Sequence, residues 1–413
     1  MKGYIRKRSK ASWETSIDTG RDLETGKRIR HFETVKGTKN DAQRRLNELL
    51  HNIDTNSYVK PARMTVRQFL EDWLTDYAAI HNAPRTRERT EEIVKLHLIP
   101  ALGSIQISKL EPQQIQRYYA QALEAGRRDG KGGLAPITVY KHHRILFQAL
   151  KYGVKHGILA RNSAECVDPP PPEHKEPTVP SADDVQSIIE RASDTPYFTA
   201  LYTKAYTGLR RGELLGLRWC DIDLDKSTLS VRQTLQQLRN RQYIFKKPKS
   251  PKNRRQIDLP PSLVILLWNH KIRQEFQRKM LGTSLSPTDL VFCHPDGSPI
   301  RPNSLTRTFH DIACSLSQKG ISLHGLRHAH ATIMLQQGIH PKIVQERLGH
   351  SSISTTLDIY SHVVPGLQEA AAQRFEDSLP NTSLPDLEKK VTENLVGKMS
   401  AISEILPLED VLG

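Results

Sequence analysis

Three segments of this 413-residue chain gather side chains that could do chemistry. AYTGLRRGELLGLRWCDID, at 205–223, sets Arg210 in a turn after Gly208, with Glu213 three residues on and an amphipathic helix through Leu214, Leu215 and Leu217. KKPKSPKNRRQIDLP, at 246–260, is a Lys-, Pro-, Ser- and Asn-rich turn joining two strand-like runs. The stretch 324–363 carries His324, Arg327, His328, His330, His350 and Tyr360. Guanidinium groups grip oxyanions in a planar fork, and imidazole, phenol and ammonium groups pass protons. Each residue also has an ordinary explanation. Arg210 and Glu213 could form a simple ion pair, and Tyr360 could be a packed aromatic. His324 and His328, four apart on a helix and joined by His330, have the spacing of a metal face. No carboxylate or thiol ligand is evident nearby, so no metal is expected.

The partner expected from composition is a polyanion. Lys and Arg number 60 against 45 Asp and Glu, a net charge of +15 with neutral histidine. That excess favours nucleic acid over a membrane surface. Hydrophobic residues make up 37% and charged residues 25%, which suits a soluble folded chain. No apolar run approaches the ~18 residues of a membrane span. MKGYIRKRSKASWETSIDTG lacks the apolar core of a secretory signal. The four cysteines, Cys166, Cys220, Cys293 and Cys314, are scattered without a CxxC pair. Neither a disulfide framework nor a zinc ribbon is expected, and the predicted setting is a reducing cytoplasm. A phosphate-cradling glycine loop between strand and helix is also absent, so no nucleotide cofactor is expected.

Five segments must position these residues. Residues 1–57 read as a small basic domain, with strands at Tyr4–Arg8, Ser12–Asp18 and Arg28–Val35 and then a helix. Thr38 and Asp41 start that helix, and Ala42, Leu46, Leu49, Leu50 and Ile53 share one face. Arg6, Lys7, Arg8, Lys27, Arg28 and Arg30 give the domain a basic side. Residues 62–160 read as four helices. Thr65 and Gln68 form a capping box, Pro100 is expected to stop the second helix, and Pro112 opens the third. The fourth, at 136–156, would turn Val139, Ile145, Leu146, Ala149, Leu150 and Val154 inward. Arg85, Arg87, Arg89, Lys141, His142, His143, Arg144 and Lys151 would decorate the polar faces. Residues 161–180, with four consecutive prolines, read as a semi-rigid linker. Ser181 and Asp184 open the largest domain, 181–375, which is helical with a strand patch near 228–259. The last segment, 376–413, is net acidic and has a helical pattern near Leu387–Ile405.

Together the three chemical segments resemble the tyrosine recombinase, or phage integrase, family. The third matches its His-x-x-Arg, Leu-Gly-His and following Tyr: His324 and Arg327 are three apart, His350 follows Leu348 and Gly349, and Tyr360 comes ten later. The first matches the family's Thr-Gly-Leu-Arg-x-Gly-Glu box, which selects Arg210 over Arg211. The second matches its lysine-bearing β-turn, which selects Lys249, although Lys246, Lys247 and Lys252 share that turn. Upstream, residues 62–160 look like the helical core-binding domain, and residues 1–57 like the three-stranded arm-binding domain of many integrases. The fold class implied is a multidomain, mainly α chain. It comprises a small sheet-plus-helix domain, a four-helix domain and a mixed α+β catalytic domain.

The resemblance implies catalytic roles for Arg210, Lys249, His324, Arg327, His350 and Tyr360. Tyr360 would attack a DNA phosphorus, leaving a 3′-phosphotyrosyl bond that stores the energy for religation without ATP. Arg210 and Arg327 would hold the non-bridging oxygens. His324 would take the phenolic proton, or hold the phosphate while an oxygen takes it. His350 would donate to a phosphate oxygen, and Lys249 would protonate the departing 5′-oxygen. Glu213 would orient Arg210. The implied partners are double-stranded DNA at core and arm sites and three further copies in a synaptic homotetramer. An excisionase and a host DNA-bending protein are also implied, and no membrane. The implied work is integration and excision of a phage or conjugative element in the bacterial cytoplasm. The competing functions are type IB topoisomerase-like relaxation and an idle DNA-binding regulator. A stripe of Leu387, Val391, Leu395, Met399 and Ile402 in the tail would dock on a neighbouring protomer, the alternative being a disordered end.

Overall fold

A computed structural model describes residues 3–21, 26, 28–54, 63–172, 178–247, 254–318, 320–354, 356–357, 367–378 and 388–396. The chain divides into two compact units, Met1–Glu176 with Gln236–Ile244, and Pro177–Leu235 with Phe245–Gly413. Among the described residues no helix is long and apolar enough to cross a membrane.

The first unit begins with an antiparallel sheet in the order β1 (Gly3–Ser9), β2 (Ser12–Arg21), β3 (Arg28–Lys36). Strand alternation separates two faces. Ile17 is buried with Leu46 and Leu49 of α1 (Lys39–Asp54), and Ile5 and Leu50 pack beside them. On the other face Tyr4, Ser16 and Phe32 pair across the sheet, with Tyr4 and Phe32 exposed. Thr38 and Asp41 exchange hydrogen bonds at the start of α1, as the sequence predicts.

The helices that follow are α2 (Val66–Trp73), α3 (Pro84–Ile93), α4 (Pro112–Ala125) and α5 (Pro136–Lys155). Thr65 and Gln68 form the predicted capping box, and Val66, Phe69, Leu70 and Trp73 enter the core with Tyr119, Leu146 and Leu150. Pro100 does not end its helix. A π-helical turn at Val94–Leu98 precedes it, and the helix continues through Ile99–Leu102. The wider turn shifts the hydrogen-bond pattern so that the proline sits at the start of a fresh helical segment.

Two further expectations are corrected here. His142 is buried rather than on a polar face, and its Nδ1 meets the Tyr118 hydroxyl at 2.8 Å. Burial, helped by the charges of His97 and Arg89, pushes its pKa down to about 4. Val154 is more than one third exposed, because it lies in the last turn where α5 runs past its neighbours. The chain also stays packed on the helices beyond residue 160. Ala164 and Val167 join the core, and the Ser163 hydroxyl donates to the Leu110 carbonyl at 2.6 Å.

The second unit opens with α6 (Ala182–Ala192), capped by Ser181 and Asp184. Next comes α7 (Phe198–Thr207), a central helix buried on nearly every side through Thr199, Ala200, Leu201, Thr203, Lys204, Ala205 and Thr207. Helix α8 (Arg211–Leu215) leads into an antiparallel sheet of β4 (Ile222–Asp223), β5 (Thr228–Ser230) and β8 (Gln256–Asp258), in which Leu229 faces Ile257. Between β5 and β8 in sequence a two-stranded ladder joins β6 (Thr234–Gln237) and β7 (Tyr243–Lys246), whose residues 236–244 group with the first unit. Then follow α9 (Pro261–Met280), α10 (Pro302–Ser315), α11 (Gly325–Gln336) and α12 (Pro341–Leu348), and later α13 (Leu367–Ser378). Helices α11 and α12 lock through Ala331, Leu335, Val344 and Leu348. Residues 388–396 are helical, with Val391 and Leu395 exposed. Leu387, Met399 and Ile402 of the predicted tail stripe lie outside the described residues.

Candidate active site

Two left-handed glycines shape the site. Gly208 ends α7 at φ +64°, and a β-carbon there would collide with the Leu348 side chain. Gly349 ends α12 at φ +67°, where a β-carbon would meet the Arg255 guanidinium at 2.9 Å. Few residues other than glycine adopt these angles readily. The two turns therefore approach each other closely, and the predicted arginines join them.

Arg327, only 2% exposed, donates to the Gly208 carbonyl at 2.7 Å and to the Leu348 carbonyl at 2.6 Å. Arg210 donates to the next carbonyl, Gly349, at 2.9 Å, and to Glu213 at 2.8 Å. Two guanidiniums from distant segments are thus anchored on consecutive carbonyls immediately before His350. Burial and the neighbouring Arg210 charge push Arg327 down to about 9, which still leaves it cationic at neutral pH. Arg211 takes another course, donating to the Thr306 hydroxyl at 2.7 Å and the Pro302 carbonyl at 3.3 Å on α10.

Glu213 is the carboxylate of this cluster. It accepts from the Arg210 backbone N–H at 2.9 Å as well as from its side chain. On its other side Arg255 donates to both carboxylate oxygens, at 3.2 and 2.8 Å, and to the Arg347 carbonyl at 2.7 Å. Burial alone would raise the Glu213 pKa. The hydrogen bonds and charge of Arg255, joined by Arg210, outweigh it and hold the pKa at about 2.

Three histidines complete the setting. His324 stands exposed at the start of α11, its ring edge-on to His328 at 4.8 Å. Burial of part of the ring, reinforced by His328 and the nearby cations, pushes its pKa down to about 4. His350 is likewise held at about 4, by burial and then by Arg327 and Arg210. Its Nδ1 meets the Thr356 hydroxyl at 2.9 Å, and Thr356 is fully buried. His330 has a structural place: its Nδ1 donates to the Ala205 carbonyl at 3.0 Å while its Nε2 accepts from Arg347 at 3.2 Å. That occupies both ring nitrogens with protein groups.

The structure thus brings together Arg210, Arg327 and His350 and sets His324 on the adjoining helix end. Lys249 and Tyr360 lie outside the described residues. Beside the cluster runs an open groove of about 580 Å³ lined by Arg218, Arg232, Lys246, Lys247, Arg254 and Arg255. Arg255, Thr356 and the buried Lys204 were not singled out by sequence. Arg255 sits among several cations with nothing local to distinguish it, and Lys204 and Thr356 have no motif of their own.

Residues 181–365 match the phage integrase family, and residues 65–123 match the phage integrase N-terminal SAM-like domain. A XerC-like tyrosine recombinase of Caldanaerobacter subterraneus is 31% identical over 393 residues, covering 90% of this chain and 97% of that protein. The ICEBs1 integrase of Bacillus subtilis is 26% identical over 377 residues, covering 91% of this chain and all (100%) of that one. Among solved structures, the Tn1549 transposon integrase in complex with a circular intermediate DNA aligns with a TM-score of 0.62 at 20% identity, over 76% of this chain and 99% of that one. A lambda integrase dimer bound to a core site aligns at 0.53 and 19% identity, over 86% and 94%. These two share the fold. With the relative at 31% identity spanning nearly its whole length, the chain belongs to the phage integrase family of tyrosine site-specific recombinases.

Proposed function

We propose that the chain cuts and rejoins DNA through a covalent 3′-phosphotyrosyl intermediate on Tyr360, integrating and excising a mobile element. The observation that carries this is the pair Arg210 and Arg327, anchored on the Gly349 and Leu348 carbonyls beside His350. Each guanidinium has five N–H donors, and these contacts leave several to meet the non-bridging oxygens of a phosphodiester. Such fixed charge stabilises the five-coordinate phosphorus without reorganisation at the moment of reaction.

In this mechanism the Tyr360 oxygen bonds to phosphorus as the bond to the 5′-oxygen breaks. The phenolic proton passes to His324, which is neutral at pH 7 because its pKa lies near 4. Lys249 gives a proton to the departing 5′-oxygen. His350 donates from Nε2 to a phosphate oxygen, which requires its Nδ1 to accept from the Thr356 hydroxyl. Attack by a 5′-hydroxyl from the partner duplex reverses each transfer and frees the tyrosine. The basic groove tracks the DNA backbone, which makes affinity steeply dependent on salt.

The N-terminal sheet, with Tyr4, Arg6 and Phe32 on its outer face, is proposed to bind the arm sites. The helical segment binds the core site, and exchange takes place in a homotetramer, with an excisionase and a host bending protein as auxiliary partners. A nicked suicide duplex carrying the element's end sequence tests the chemistry. Wild-type chain should become covalently attached and Tyr360→Phe should not. Retarded DNA without attachment would instead identify a binder.

A further inference from the structure

Lys204 lies in the last turn of α7 and is completely enclosed. Its ammonium donates to the Leu209 carbonyl at 2.7 Å, and among the described residues no carboxylate is in ion-pairing contact with it. Leu209 directly precedes Arg210, and the preceding carbonyl, Gly208, is held by Arg327. The backbone that delivers Arg210 is therefore gripped by two buried cations on adjacent carbonyls.

A neutral donor would satisfy a buried carbonyl at much lower cost than an ammonium. The surroundings make the choice more unusual. Arg327 and the histidines of α11 face Lys204 from one side, and Arg210, Arg211 and Glu213 from the α8 turn. Helices α6 and α9, which also pack on α7, bury Ile188, Ala192, Leu263, Leu267, Gln274 and Arg278, the last paired with Asp289. Among the described residues, Lys204, Arg210, Arg255 and Arg327 thus share the carboxylate of Glu213. The missing negative charge is what a DNA phosphate would bring.

We infer that Lys204 is a positioning residue of the phosphate site. It fixes the turn that aims Arg210, and it is fully protonated only once a phosphodiester has entered, so that DNA binding and proton uptake are one event. This rests on the proposed DNA-cleavage function. Burial, followed by repulsion from Arg327, pushes the Lys204 pKa down to about 7 in the empty site. A phosphate nearby raises it. Between the empty and occupied values, binding takes up a proton and affinity falls as pH rises. Below both values and above both, that dependence vanishes. His324, His330 and His350, lying near 4 without DNA, exchange their protons at more acid pH.

The test uses full-length Tyr360→Phe protein and the tightest-binding duplex recovered with it from a random-sequence pool. Calorimetric titration at pH 8, in two buffers of different ionisation enthalpy, counts the protons taken up. The expected result is uptake approaching one proton at pH 8 and little of it at pH 6. That uptake should be lost in Tyr360→Phe carrying Lys204→Met, and largely lost with Lys204→Arg, whose higher intrinsic pKa keeps it mostly charged at pH 8. Unchanged uptake in either double variant, or no uptake in the parent at pH 8, overturns the inference. If the methionine variant fails to fold, the parent's difference between pH 8 and pH 6 still decides. Failure of the wild-type chain to form a covalent adduct on a nicked form of the same duplex would overturn the DNA-cleavage function itself, and this inference with it.

Discussion

Replacing Glu213 with glutamine removes one charge from the middle of the cationic cluster while keeping the shape. The side chain is 8% exposed and takes hydrogen bonds from both Arg210 and Arg255, so solvent cannot compensate. Its pKa falls from 4.5 to about 2. At about 1.4 kcal/mol per pKa unit, this makes the carboxylate worth about 3 kcal/mol at pH 7. Removing one member of a buried pair typically costs ~3–5 kcal/mol, which agrees in scale. The folded value lies below the unfolded one, so the contribution is complete above about pH 4.5 and is lost as pH falls toward 2. At pH 3 only about 1.4 kcal/mol should remain. Urea unfolding of wild type and Glu213→Gln, followed by hydrogen exchange in segments from α7 and α8, measures the difference at each pH. A loss below about 1 kcal/mol at pH 7 would refute the buried-bridge reasoning, as would a loss that is the same at pH 7 and pH 3.

Arg210→Ala should slow adduct formation on a suicide duplex by about 10²–10³-fold, the usual cost of one preorganised donor. Arg211→Ala, whose side chain is tied to Thr306 and Pro302, should leave the rate within a few-fold; equal losses would show that the two arginines had been assigned wrongly. Thr356→Val removes the hydroxyl that meets His350 Nδ1 and should slow single-turnover cleavage about tenfold, by roughly the worth of one hydrogen bond; an unchanged rate would mean that the ring needs no such hold. Gly208→Ala forces a side chain into a left-handed turn and against Leu348, and should lower stability by at least ~1–2 kcal/mol in a thermal melt.

Much of this arrangement was legible because its signals are local. Capping pairs such as Thr65 with Gln68 and Ser181 with Asp184 mark helix starts within four residues. Gly208 and Gly349 stand where helix-ending turns need positive φ, and the arginine and histidine motifs lie directly beside them. What sequence missed depends on partners far along the chain. Arg255 resembles every other cation between 246 and 255 until Glu213, 42 residues earlier, selects it. His142 has a polar side chain in a charged run, and the Tyr118 hydroxyl on α4, 24 residues earlier, gives its buried Nδ1 a partner. Pro100 reads as a stop because proline normally breaks the ladder, and the π-helical turn that accommodates it leaves no trace in the pattern.

Lys204 was hardest to read for a further reason. A lysine on a helix is ordinarily taken to reach solvent, yet α7 is enclosed on nearly all sides. A chain selected for stability alone would place a methionine or leucine there, and would balance Arg210, Arg255 and Arg327 with more than Glu213. Among the described residues the DNA-free site is instead short of negative charge. Uncompensated buried charge lowers fold stability, and it does so where an incoming phosphate can remove the deficit. The cost in the free protein and the grip on DNA thus share one origin. Substitutions that neutralise the inner cations should therefore weaken the hold on the phosphate while relieving repulsion in the empty fold. Arg255 and Arg327 are exceptions: Arg255 is the bidentate partner of buried Glu213, and the two carbonyl contacts of Arg327 also lock α11 to the turns on either side.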